Sequence, residues 1–281
     1  GLASGKGVFI PDSKDECLRA TESIFNGKFG NSGNVVVLEE KIEGPEVSVF
    51  ALCDGEKFIL LPTAQDHKRL NEKDKGPNTG GMGAYSPAPL LTEILLNTIV
   101  KEIIKPTINE LNKKNIDYKG VIYFGLMLTK SGPKVIEYNC RFGDPECQTI
   151  MPLMDKNFVF LLEKCSMGNL TGNEKICISD KVSGCVIATS KGYPHEYKTG
   201  IPIKIGKIDS NDCQIFDSGT SIKNGELITD GGRVLSIVCQ DKDFDKVFEK
   251  AYKNLKEIHF DGIYFRNDIG HQVREIFSKE K

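Results

Sequence analysis

The order of apolar and polar residues predicts many short elements of both kinds. Gly5-Lys6-Gly7-Val8-Phe9-Ile10 reads as a glycine turn running into a strand. A helix is predicted from Ser13 to Asn26, because Ser13 and Glu16 stand at capping-box spacing. Val35-Val36-Val37-Leu38 is a continuous β-branched run, and Glu46 to Leu52 alternates as a strand does. Asp54-Gly55 predicts a hairpin turn into Phe58-Ile59-Leu60-Leu61. From Thr63 to Pro89 there is little periodicity and much Gly, Pro, Asn and Asp. Such a long irregular stretch inside a domain is usually functional or disordered. A helix from Leu91 to Lys113 carries Ile94, Leu95, Ile99, Ile103 and Ile104, with a bend expected near Pro106.

Gly120 to Thr129, a turn at Ser131-Gly132-Pro133, and Lys134 to Asn139 form a buried hairpin pattern. Helices follow at Gln148–Met154 and Phe158–Met167, then a polar stretch at Thr171–Glu174. Beyond it come strands at Ser183–Ser190, Gln214–Asp217 and Arg233–Cys239, a helix at Phe244–Ile258, and a strand near Gly262–Arg266. The class is α+β with an antiparallel bias. A length of 281 residues suits two domains at roughly 150 residues each. The expected division is 1–172 and 173–281, the first subdivided into 1–62 and 63–172.

Composition narrows the function classes. Apolar residues make up 39% and charged residues 27%, a normal globular balance. The formal net charge of −2 argues against attachment to nucleic acid or an anionic membrane through bulk charge. The longest uncharged apolar stretch, Val121–Thr129, is far shorter than the roughly 20 residues of a membrane-spanning helix. The chain opens Gly1-Leu2-Ala3 with no secretory pattern, and is expected to be an internal segment of a longer protein. Nine cysteines without a C-x-x-C pair read as small hydrophobes in a reducing cytoplasm, unpaired. The four histidines show no metal-ligand spacing, so zinc is set aside.

The 28 glycines gather where chemistry is expected. A P-loop places Ser or Thr after its Lys and then a helix, whereas Gly7 follows Lys6 and a strand pattern comes next. A flexible glycine hairpin over phosphates fits better, with an ordinary turn as the alternative. On a strand, Glu137, Asn139 and Arg141 share one face, while Ile136, Tyr138 and Cys140 share the other. A carboxylate beside an amide oxygen offers hard ligands for magnesium that also holds phosphates. An arginine just beyond can stabilise charge on a transferring phosphoryl group. Leu38 to Glu46 leaves one strand pattern and enters another, exposing backbone to an adenine edge and a later Glu to ribose hydroxyls. Gln65-Asp66-His67-Lys68-Arg69 and Gly76-Pro77-Asn78-Thr79-Gly80-Gly81-Met82-Gly83 together suit an anionic substrate.

Those two loop motifs, together with Glu137-Tyr-Asn-Cys-Arg-Phe-Gly-Asp-Pro-Glu, strongly resemble the phosphoribosylamine–glycine ligases of the ATP-grasp superfamily. Ser190-Lys-Gly-Tyr-Pro, Asp230-Gly-Gly-Arg-Val-Leu and Arg266-Asn-Asp-Ile-Gly-His extend the resemblance across the chain. It implies an ATP-grasp fold, incomplete at its N-terminus, followed by a small mixed α/β domain. It also implies ATP-dependent joining of glycine to 5-phosphoribosylamine through glycyl phosphate. Glu137 and Asn139 would hold magnesium or manganese. Gly5, Lys6, Gly7, Glu39, Glu40, Lys41, Ile42 and Glu46 would bind the nucleotide. Arg141, Lys68 and Arg69 would act on the reacting groups. Asp66, His67, Asn78, Thr79, Gly80, Gly81 and Asp144 would line the substrate site. The family carries an upstream domain and a nucleotide-binding Lys on a preceding strand, so this segment alone is expected to be nearly inactive. Fusion to other purine-pathway domains is compatible with the resemblance. Another ATP-grasp ligase and a non-catalytic nucleotide-binding module are the rival readings.

Overall fold

The structure, a computed structural model, describes residues 7–174 and 176–274. It divides into two compact units, Gly1–Gly44 and Pro45–Lys281. In the first, helix α1 (Lys14–Ser23) begins as the capping pattern requires. Ser13 Oγ accepts the Glu16 N–H at 3.2 Å, and the Glu16 carboxylate accepts the Asp12 N–H at 2.9 Å. A wide turn (Ile24–Lys28) and a 3₁₀ turn (Gly30–Gly33) follow. Two expected strands are absent. Val8–Ile10 and Val35–Leu38 have no regular structure, and Val8, Val35 and Leu38 are 66%, 74% and 77% exposed. β-propensity needs a paired neighbour to become a strand, and neither run has one among the described residues. Gly5 and Lys6 lie outside the described residues.

The second unit starts with the hairpin of β1 (Glu46–Cys53) and β2 (Phe58–Leu60). The Asp54 carboxylate accepts the N–H groups of Glu56 and Lys57 at 3.1 and 2.7 Å, which closes the turn. The stretch expected to be irregular instead holds four short strands: β3 (Gln65–Asp66), β4 (Arg69–Asn71), β5 (Lys75–Asn78) and β6 (Gly83–Ser86). Strands this short cannot build a recognisable period: β4 and β5 close a local hairpin, while β6 pairs with β3 and with the distant β9. Helix α2 (Glu93–Ile99) passes through a π-type turn (Val100–Ile104) into α3 (Lys105–Lys113). The wider turn lies just before Pro106, which has no N–H to give the preceding turn.

Then come β7 (Gly120–Thr129), β8 (Gly132–Asn139), α4 (Glu146–Ile150) and α5 (Phe158–Ser166). The rest is β9 (Val182–Thr189), β10 (Lys204–Ile205), β11 (Cys213–Asp217), β12 (Thr220–Lys223), β13 (Glu226–Thr229), β14 (Arg233–Asp241), α6 (Phe244–Leu255) and β15 (Ile258–His259). The last strand therefore precedes its expected place. At 262–266 only Tyr264 pairs, through a single bridge to Thr189.

Two antiparallel sheets organise the unit, in the orders β2-β1-β7-β8 and β11-β14-β9-β6-β3. In the four-stranded sheet, Val47, Val49 and Ala51 of β1 join Ile122, Phe124 and Leu126 of β7 against Ile99, Ile104 and Ile108 of the helical arm. The alternate residues Phe50, Leu52 and Tyr123 face Phe158, Leu161 and Cys165 of α5. The five-stranded sheet is covered by Val247, Phe248, Ala251 and Leu255 of α6. The segment before β3 touches both sheets: Ser48 and Ala64 exchange backbone hydrogen bonds at 2.8 and 3.0 Å, after which Gln65 and Asp66 pair with Tyr85 and Ala84. No helix among the described residues is long and apolar enough to cross a membrane.

The cysteine expectation needs correction. Cys213 and Cys239 face each other directly on β11 and β14 and form a disulfide, while the other seven are free. Their separation of 26 residues left no local motif to read. Titration of the denatured, unreduced chain is expected to count seven thiols, rising to nine after reduction.

Among the described residues, Arg266 is the largest fully buried side chain. Its Nε and Nη2 donate to the two oxygens of Asp268 at 2.8 and 2.9 Å. Nη1 donates to Asp74 Oδ1 at 2.9 Å and to the Arg69 carbonyl at 3.0 Å. Asp268 also accepts the Lys73 N–H at 2.7 Å, securing a turn in which Lys73 and Asp74 have φ of 56° and 51°. Removing one partner of a buried charge network strands the others. Arg266→Leu is expected to cost about 3–5 kcal/mol in urea unfolding, with Arg266→Lys recovering part because it lacks the planar fork.

Candidate functional site

The site is built on the face of the four-stranded sheet opposite α2 and α3. Strand alternation places Glu46, Ser48 and Phe50 of β1 there, with Tyr123 and Gly125 of β7. On β8, Asn139 stands opposite Tyr123 and Glu137 opposite Gly125. This is the shared face expected for Glu137 and Asn139. Gly125 is required for it: a Cβ at that position would lie 2.9 Å from Glu137 Cγ. Arg141 lies past the end of β8, exposed, with Nη1 donating to the Phe142 carbonyl at 2.6 Å.

Lys68 Nζ donates to Glu46 Oε2 at 2.6 Å. Burial alone would lower the ammonium, but the carboxylates of Asp66 and Glu46, with Glu137 adding, outweigh it and hold Lys68 well above its ordinary value. Asp66 moves the other way from its own norm. Burial, reinforced by the Glu146 carboxylate, pushes it far up, and Lys68 offsets only part of that. Glu146 is 3% exposed and is also pushed up by burial, while the Ser48 hydroxyl donates to it at 2.8 Å. Tyr123 Oη lies 3.2 Å from that hydroxyl. Sequence reasoning missed Glu146, whose one signal was its place at the end of the Glu137–Glu146 motif.

The glycine-rich turn is braced from inside. Thr79 N–H and Oγ1 both donate to the Lys68 carbonyl, at 2.7 and 2.9 Å, and the Gly81 N–H returns to Thr79 Oγ1 at 3.0 Å. Asn78 is exposed opposite Arg69, whose Nη1 donates to the Gly76 carbonyl at 2.9 Å. Gly81 has φ of 109°, and a Cβ there would run into Pro145 Cδ, so this turn packs directly on the one following Asp144. Asp144 pairs with Arg233, which belongs to the Asp230–Leu235 motif and carries no site signal in local spacing. In the first unit, Gly7 lies in a turn. Glu39, Glu40 and Lys41 are exposed there and Ile42 is half-buried, with Lys41 Nζ 3.0 Å from Asp12.

His67 is not presented to a ligand. It is buried, and its Nε2 accepts the Gly270 N–H at 2.9 Å. The proton therefore sits on Nδ1, which faces Asp74 Oδ1 at 3.4 Å, while His271 Nε2 lies 2.9 Å from Asp74 Oδ2. The ligand atoms of His67, Asp74 and His271 lie within 4.8 Å of one another, a cluster the sequence spacing concealed. A metal would need the lone pair that carries this proton, and Arg266 already occupies Asp74 Oδ1. The cluster is a hydrogen-bonded brace. Burial lowers the His67 imidazole, so the folded chain keeps it neutral. Below the unfolded value of about 6.5 the unfolded chain gains a proton that the folded chain refuses. Stability is therefore complete above that pH and falls below it. Urea midpoints are expected to drop from pH 7 to 5, and less steeply in His67→Gln.

Similarity to solved structures bears on the class. The chain superposes on a biotin carboxylase from Campylobacter jejuni, solved as a β,γ-ATP complex, with TM-score 0.72 at 17% identity over all of this chain and 61% of that one. At that identity the likeness concerns the fold alone; the class, an ATP-grasp protein, rests on the family models. The phosphoribosylglycinamide synthetase ATP-grasp (A) domain matches residues 1–147 and the C domain of the same synthetase matches 183–272. The chain belongs to the phosphoribosylglycinamide synthetase family. It is 46% identical to a phosphoribosylamine–glycine ligase of Caldanaerobacter subterraneus, over 96% of this chain and 64% of that protein. It is 41% identical to the trifunctional purine biosynthetic protein adenosine-3 of Gallus gallus, over 100% of this chain and 28% of that protein. A crystal structure of the Thermotoga maritima phosphoribosylamine–glycine ligase matches with TM-score 0.86 at 33% identity, covering 95% of this chain and 66% of that one. The chain thus spans just under two thirds of the bacterial ligase it resembles.

Proposed function

We propose that the protein carrying this chain joins glycine to 5-phosphoribosylamine at the expense of ATP. The observation that carries this reading is the Glu137–Asn139 pair on one sheet face, beside Lys68, in a chain of the synthetase family. The glycine carboxylate attacks the γ-phosphorus, ADP departs, and glycyl phosphate forms. The amine nitrogen then attacks the acyl carbon, phosphate departs, the nitrogen gives up a proton, and glycinamide ribonucleotide results.

A carboxylate and an amide oxygen side by side, over a glycine that leaves them room, suit a magnesium or manganese ion. Such an ion, when bound, neutralises the nucleotide phosphates. Lys68 supplies a fixed positive charge beside the same face. Arg141, exposed past the strand end, is assigned to the acyl phosphate and Arg69 to the substrate anion. Asp66, Asn78, Thr79, Gly80, Gly81 and Asp144 line the substrate side, and Glu46 is assigned to the ribose hydroxyls. His67 acts from behind, as a brace for Lys68 and Arg69. In the first unit, the irregular segment Glu39–Ile42 suits backbone hydrogen bonding to an adenine edge. The trifunctional relative carries this region as a small share of its length, so fusion to other purine-pathway domains is an arrangement the region tolerates.

In the full-length protein, ADP release is expected to require both glycine and 5-phosphoribosylamine. Glu137→Ala should lower turnover by about 10²-fold or more and remove the magnesium dependence of nucleotide binding. Equal ADP release with glycine replaced by another carboxylate would point instead to a different ATP-grasp ligase.

A further inference from the structure

Arg233 opens β14 in the five-stranded sheet, yet its guanidinium leaves that sheet for two turns of the candidate site. Nη1 donates to the Gly80 carbonyl at 2.6 Å and to the Asp144 carbonyl at 3.2 Å, and Nη2 donates to the Asp144 carboxylate. On its N–H side Gly80 donates to Tyr193 Oη at 2.8 Å. Both polar groups of one glycine are therefore held by side chains from the C-terminal part of the chain. The neighbouring Gly81 packs on Pro145 with no space for a side chain. The turn holding Asp144 connects β8, which carries Glu137 and Asn139, to the buried Glu146.

We propose that Arg233 is a positioning residue of the ligase site, fixing the Gly80–Gly81 turn against the Asp144–Pro145 turn. The first turn belongs to the substrate-facing loop, and the second follows the strand assigned to the metal. Setting one against the other sets the distance between the amine and the acyl phosphate it must attack. Only a planar fork reaches two carbonyls and a carboxylate at once, so lysine is a partial substitute. The Asp144 carboxylate is half exposed, so this pair adds little to folding. Its consequence is placement. The proposal rests on the ligase reading above for its chemistry, but not for its geometry.

The test uses the full-length protein with Arg233→Ala, Arg233→Lys and Tyr193→Phe. Amide hydrogen exchange is read first, because it needs no turnover. Arg233→Ala is expected to speed exchange in residues 79–83 and 143–147 together, with β9 and β14 still protected. Tyr193→Phe should speed only the first segment. In kinetics, Arg233→Ala should lower kcat by up to about 10²-fold and raise KM for the amine. Nucleotide affinity should stay unchanged, and phosphate should be released in excess of amide product as glycyl phosphate is lost to water. Arg233→Lys should recover part of that coupling. Unchanged exchange in both turns would overturn the proposal, as would exchange spreading through the five-stranded sheet. A wild-type protein without glycine-dependent ADP release would refute the ligase reading, while the exchange data would still decide whether Arg233 fixes the two turns.

Discussion

A guanidinium shut away from water is tolerable only where its donors find partners, and this requirement at Arg266 governs how the rest of the unit is joined. Its partners come from two distant segments: Asp268 beside it, and Asp74 with the Arg69 carbonyl from the β4–β5 hairpin. Asp74 answers the same need from its side. Burial alone would raise its carboxyl, but hydrogen bonds from His271, His67 and Arg266 outweigh burial and hold it well below the usual carboxylate range. The result ties residues 65–86 to the C-terminal part of the chain, although they precede the helical arm and the β7–β8 hairpin in sequence. Because His67, Lys68 and Arg69 are consecutive, the brace behind the loop fixes the side chains in front of it.

The site in front is dominated by carboxylates. Glu46, Asp66 and Glu137 act on one ammonium, that of Lys68, and Glu146 lies buried behind them with a serine hydroxyl as its donor. Crowding and burial together push Asp66 and Glu146 up, which favours their neutral forms and limits the negative charge held there. Lys68 is thus engaged by Glu46 in the structure, and the distribution of charge there follows from Glu46 of β1 and Glu137 of β8 sharing a side of the sheet.

Much of the scaffold was legible because its cause is local. The period-2 pattern of β1, the Asp54-Gly55 turn, the β7–β8 hairpin and the Ser13 cap each depend on residues close in sequence. The orientation of Glu137 and Asn139 was legible for the same reason. The failures share the opposite property. Val35–Leu38 has strand composition but no paired strand among the described residues, the strands within 63–89 are too short to show a period, and Cys213 meets Cys239 only through strand register. His67 carried the composition of a ligand-facing residue, yet its nitrogens are occupied from within by Gly270 and Asp74.

By itself, the sequence determined the antiparallel α+β character, the pairing of an acid with an amide on one strand face, and the motifs that placed the chain in its family. These rest on short-range periodicity and on residue chemistry, both carried by neighbouring positions. The tertiary structure alone decided which side chains face the chemistry and which support it. Glu146 became part of the acidic group, Arg233 reached across to two turns, and His67 turned inward. Each outcome depends on burial and on partners far away along the chain, and neither is encoded in local spacing.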